Sequence, residues 1–150
     1  MQEVKYHLAQ VNISRLLAPL DSPQLADFVA QLAPVNALAE NSEGFVWRLK
    51  DDSGQSATDF RPFDDDMIII NMSVWESPEA LKNYVFKSLH TEVMRNRNAW
   101  FEKMKGVSTV LWWVAIGHEP SLEEAKERLD SLEKNGESDY AFSFKKFAKQ

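Results

Sequence analysis

There is no cysteine in the chain, which removes disulfides, thiolate zinc sites, iron–sulfur clusters and a cysteine nucleophile at once. His90-Thr91-Glu92 resembles the first half of a zinc deaminase signature, but the second half needs a pair of cysteines, so that reading fails. Glycine is scarce. None of the five glycines forms a phosphate-binding loop, a dinucleotide fingerprint or a Gly-x-Ser-x-Gly elbow. An excess of basic residues is also lacking: the net charge of −6 opposes nucleic acid and anionic membrane surfaces as partners. The longest apolar run, Val110 to Ile116, is far short of the roughly 20 residues that cross a bilayer. Met1 to Lys5 has no signal-like apolar core, and the expected location is cytoplasmic. Asp51, Asp52, Asp59 and Asp64 to Asp66 miss the spacing of a calcium loop, so no metal is expected there.

What remains is a 150-residue chain, 44% apolar, of a size that makes one core and one domain over residues 1–150. Leu8 to Ile13 alternates as a strand with Gln10 and Asn12 on one face. Asp21-Ser22-Pro23 predicts the start of a first helix that Pro34 ends or kinks, with a shorter helix over 35–40. Phe45 to Leu49 reads as a second strand with Phe45, Trp47 and Leu49 on one face, and 67–75 as a third. Ser77-Pro78 opens a long second helix, predicted to reach Lys105. Thr109 to Ile116 is a fourth strand, apolar on both faces. Ser121-Leu122-Glu123-Glu124 is a capping box for a third helix that stops before Asn135-Gly136, and Tyr140 to Phe144 alternate as a last strand.

The order β-α-β-β-α-β-α-β begins as a ferredoxin-like split βαβ arrangement, an α+β fold with helices on one face of an antiparallel sheet. Apolar residues on both faces of the third and fourth strands then require a second covering. A second copy of the chain is the simplest one, giving a homodimer; the last helix is the alternative. Trp112 and Trp113 are neighbours on a strand and point to opposite faces.

Several runs resemble the family called domain of unknown function 3291. They include Leu8 to Ile13, Val35 to Glu40, Gly44 to Leu49, Asn71 to Ser77, Phe86 to His90, Arg95 to Phe101 and Leu111 to Val114. The resemblance implies the dimeric α/β-barrel superfamily, in which two ferredoxin-like subunits pack their sheets face to face. More distantly, the chain is similar to antibiotic-biosynthesis and haem-degrading monooxygenases. In the haem-degrading members a strand-one asparagine, a helix-two aromatic residue and a helical histidine form the site; Asn12, Tyr84 and His90 are the loosely matching positions here.

His90 and Arg97 lie seven apart, on one stripe of the second helix. His90 has three readings: a haem-iron ligand, a proton shuttle suited to neutral pH, or a core-edge histidine. Arg97 either holds an anionic ligand group in its planar fork or pairs with a surface acid. Trp47, Trp75 and Trp112, with Tyr84, are candidate walls for a flat apolar or aromatic molecule. The expectation is a homodimeric small-molecule-binding protein. Its enzymatic version is a cofactor-independent monooxygenase in which Asn12 and Arg97 orient the substrate and His90 moves a proton. The alternatives are a haem protein with His90 as ligand, and a non-catalytic binding or assembly protein.

Overall fold

A computed structural model describes residues 6–19, 21–49, 67–89, 100–102 and 107–144. The α+β class holds. Strand β1 (Tyr6–Leu16) lies at the centre of one antiparallel sheet with β2 (Phe45–Arg48), β3 (Ile68–Trp75), β4 (Phe101–Glu102) and β5 (Thr109–Ala115). β3 runs along one side of β1 and carries β2 outside it; β5 pairs with the other side of β1 over Tyr6 to Asn12 and β4 over Arg15 and Leu16. The order β2-β3-β1-β5 is the ferredoxin-like one predicted from the element sequence.

Among the described residues the α-helices are α1 (Ala26–Glu40), between β1 and β2, α2 (Pro78–Leu89), after β3, and α3 (Leu122–Asn135), after β5. α1 is entered through a 3-10 turn (Pro23–Leu25), with no side-chain bond from Ser22, and it continues as helix past Pro34 rather than ending there. Pro34 is on the exposed side while Phe28, Asn36 and Ala39 are buried. Packing of the opposite face thus outweighs the missing backbone donor.

The second helix does not reach Lys105. Phe101 and Glu102 instead form β4, because Trp100 and Phe101 pack with Phe28, Leu16 and Leu25 in a small cluster at the end of β1. A last strand over Tyr140 to Phe144 is also replaced. Leu111 and Phe142 make one isolated bridge, and Tyr140 is exposed under the Arg128 guanidinium, 3.8 Å from its ring centroid.

The two faces of the sheet are built differently. Ala9, Val11 and Ile13 of β1 join Ile70, Met72 and Val74 of β3, and Val110, Trp112 and Val114 of β5, in an apolar layer that packs on Ala125, Leu129 and Leu132 of α3. On the other face Leu8, Trp75 and Leu111 pack on Ala39 of α1 and Leu81 of α2. The covering that the two-sided strands demanded is therefore supplied over β1 and β5 by the last helix. All nine of those strand residues are buried within a single protomer, so the second face no longer calls for a second copy.

α3 opens as its sequence predicts, with Ser121 Oγ accepting from the Glu124 backbone N–H. The Glu124 carboxylate does not turn back to complete the box. It accepts from the Trp112 indole at 2.8 Å and from His118 at 2.7 Å, tying α3 to the sheet. Burial alone pushes this carboxyl up, but the bonds from His118 and Trp112 and the charges of His118 and Arg128 hold it below the ordinary value.

Candidate functional site

Polar residues are rare inside a sheet unless they are partnered, yet the face beneath α1 and α2 carries a continuous row of them. Period-two alternation sets Gln10 and Asn12 of β1 on this face with Asn71 and Ser73 of β3. The register places Gln10 opposite Ser73, and Asn12 between Asn71 and Thr109. Gln10 Nε2 stands 2.9 Å from Asn71 Oδ1 and 2.8 Å from Ser73 Oγ, donating to both. The Trp75 indole N–H donates to the same Ser73 oxygen at 2.8 Å. Beside them Asn12 Nδ2 donates to Thr109 Oγ1 at 2.9 Å.

The row is graded from dry to wet. Trp75 at one end is fully enclosed, Gln10 and Ser73 are 8% and 5% exposed, Asn12 and Thr109 are half-buried, and Asn71 is exposed. A molecule entering at Asn71 would meet neutral donors and acceptors first and an aromatic stop behind them. Tyr84 of α2 stacks on Trp75 with ring centroids 5.0 Å apart and a 23° interplanar angle, while Phe45 meets the same indole edge-on at 5.5 Å and 82°. These contacts use the Trp75 ring as a wall and leave no face of it open to stack on a ligand.

A β-bulge determines what flanks the row. Phe45 pairs with Trp75, but the register slips before Trp47, which pairs with Val74, and Arg48 then pairs with Ser73. The extra residue sends Trp47 to the α3 face and returns Arg48 to the row's face. There Arg48, 7% exposed, gives Nε to Glu40 of α1 at 2.9 Å.

Of the residues singled out from sequence, the structure stacks Tyr84 on Trp75 and sets Asn12 on the same face of the sheet, at the opposite end of the row. It separates Trp47 and Trp112 from them by the thickness of the sheet: Trp47 packs on the α3 layer and Trp112 is fully buried beneath α3. A porphyrin between sheet and helices would find only Trp75 and Tyr84 among the expected walls, stacked on each other, with Phe45 on the same indole. His90 and Arg97 lie outside the described residues. Among those described there is no group of three or more His, Asp or Glu able to hold a metal ion, and no helix is long and apolar enough to cross a membrane.

Sequence reasoning missed Gln10, Asn71, Ser73 and Thr109 as site residues. The signal was present: Gln10 and Asn12 share a face, and Asn71 and Ser73 interrupt an otherwise apolar strand with the same period.

Comparison with known proteins places these features in a family. The model of the family described as Domain of unknown function (DUF3291) matches residues 7–150, and the chain belongs to that family. No curated protein matches. Among solved structures, PA3566 from Pseudomonas aeruginosa is similar at 11% identity and a TM-score of 0.48, covering 76% of this chain and 97% of that one. A protein of unknown function from Nitrosomonas europaea, NE2512, is similar at 14% identity and a TM-score of 0.46, covering 79% and 97%.

Proposed function

We propose that this member of the DUF3291 family binds a small, flat, uncharged molecule between its sheet and the α1–α2 layer, with the molecule's polar edge on Gln10, Asn12 and Asn71. One observation carries the reading: a hydrogen-bonded polar row, nine-tenths buried at Gln10 and Ser73, ends in solvent at Asn71. Burying polar groups costs stability unless they are satisfied, and an apolar row here would pack more simply. The opposite face of the same sheet is built in that simpler way.

The enzymatic form of this reading is cofactor-independent monooxygenation of an aromatic substrate, with dioxygen reduced by the substrate's own electrons. Asn12 and Arg97 then orient the substrate oxygen, and His90, which follows α2 in sequence, moves the proton. The described residues of the row contribute only neutral groups. All acid–base work in this scheme therefore falls to His90.

The reading is tested by titrating the full chain with quinoline-sized heteroaromatic compounds while following side-chain amide resonances. Shifts are expected at Asn12, Asn71 and Gln10, with loss of binding in Asn12→Leu. Shifts confined to α3, or a Soret band on adding haemin that disappears in His90→Ala, would overturn it in favour of another surface or of haem.

A further inference from the structure

At its buried end the row holds a proton that its internal bonds do not use. The Trp75 indole is a donor only, so Ser73 Oγ must accept from it. With Gln10 Nε2 also donating to Ser73, the Ser73 hydroxyl proton meets no acceptor among the described residues, and Gln10 Oε1 meets no donor. The same heavy-atom positions support a second arrangement. When the amide planes of Gln10 and Asn71 both turn by 180°, Gln10 Oε1 accepts from the Ser73 hydroxyl and from Asn71 Nδ2, and the Gln10 amino group faces outward.

In the first arrangement Gln10 offers an acceptor and Asn71 a donor; in the second the order reverses. Either way a donor and an acceptor stand side by side at the wet end of the row, on residues whose side chains bond each other at 2.9 Å. Resting on the binding role of this row, we propose that Gln10 and Asn71 form a reversible amide pair that selects planar lactams, rings carrying a carbonyl and an N–H on neighbouring atoms, or their hydroxy-imine tautomers. A lactam matches either order by turning over, and in one fixed pose each tautomer matches one of the two arrangements. A carboxylate brings two acceptors and a charge to a neutral row, leaving one acceptor facing another. A hydrocarbon leaves both amide ends without partners. Ser73, anchored by Trp75, holds the inner end of the pair in place and supplies the proton that makes both arrangements possible.

The test titrates the full chain with 2-quinolone, N-methyl-2-quinolone and naphthalene, following the side-chain amide resonances of Gln10 and Asn71. 2-Quinolone is expected to shift both resonances and to bind at least about tenfold more tightly than its N-methyl form, which keeps the carbonyl and loses the donor, and more tightly still than naphthalene. Gln10→Leu abolishes this preference. Asn71→Ala, at an exposed position where folding is not at issue, reduces it about tenfold. Equal affinity for the three probes at the row overturns the lactam assignment and leaves the binding role standing. No shift at Gln10, Asn12 or Asn71 with any probe overturns both.

Discussion

Replacing Ser73 with alanine removes one oxygen and should cost far more than a surface serine would. Two donors converge on that oxygen, each at 2.8 Å: the indole of Trp75, which is fully buried, and the amide of Gln10, 8% exposed. Gln10 keeps its second bond to Asn71, but the indole N–H is left without an acceptor in a site sealed by Tyr84 and Phe45. An orphaned buried donor costs about 1–3 kcal/mol and the weakened amide about 1 kcal/mol more. The expected loss is therefore roughly 2–4 kcal/mol, a sizeable part of a typical 5–15 kcal/mol total. For a chain of this length it corresponds to a fall in Tm of about 4–16 °C. Urea unfolding followed by tryptophan fluorescence measures it, with an unchanged slope showing that the unfolded state is unaltered. The partner variant Trp75→Phe removes the indole donor. The double variant should then lose about 1–2 kcal/mol less than the two single losses added together, since the orphan no longer exists. A loss below about 0.5 kcal/mol in Ser73→Ala, or strict additivity, would refute the claim that this network is tightly coupled.

Two further outcomes test the other side of the sheet and its rim. Glu124→Gln should lower stability at neutral pH and matter progressively less in acid. The folded carboxyl titrates below its ordinary value of 4.5, so its contribution is complete above that value and disappears as pH falls through the folded pKa; thermal unfolding of both proteins between pH 7 and pH 3 should show the two curves converging. Gly44→Ala should destabilise the protein much more than Gly136→Ala. Both glycines have positive φ, +85° and +77°, but a Cβ on Gly44 lands 2.4 Å from Ala80 Cβ and one on Gly136 meets nothing within 4 Å. The left-handed backbone costs about 1 kcal/mol at each site, and overpacking adds about 1–3 kcal/mol at Gly44 alone, measurable by urea unfolding.

Elements fixed by local chemistry were legible from the chain. The period-two pattern placed Gln10 with Asn12 and set Trp112 against Trp113, and Ser121 caps α3 as its spacing indicated. What escaped depends on contacts between distant residues. Phe101 continues a helical pattern, but it pairs with Leu16 and packs edge-on against Phe28 at 4.9 Å, so it becomes a strand. The alternation of Phe45, Trp47 and Leu49 is regular in sequence, and only the bulge against β3 breaks it, removing Trp47 from the proposed pocket. Pro34 obeys its own stereochemistry and is overruled by the buried side of α1.

The contrast between the sheet's two faces bears most directly on function. Alternation forces β1, β3 and β5 to present two sets of side chains, and each set meets a different layer. Beneath α3 the set is aliphatic with one tryptophan, whose single polar atom is satisfied by Glu124. That layer contributes hydrophobic burial with little left to satisfy, and burying a single large apolar side chain is worth about 1.5–3 kcal/mol. Beneath α1 and α2 the same three strands present Gln10, Asn12, Asn71, Ser73 and Thr109, whose hydrogen bonds to one another return only about 1 kcal/mol each. A sheet whose one face already supplies a dry core can carry a polar row on the other without unfolding. It follows that Gln10→Leu or Asn12→Leu should damage binding more than stability, whereas the comparable change beneath α3, Val11→Asn, should damage stability first.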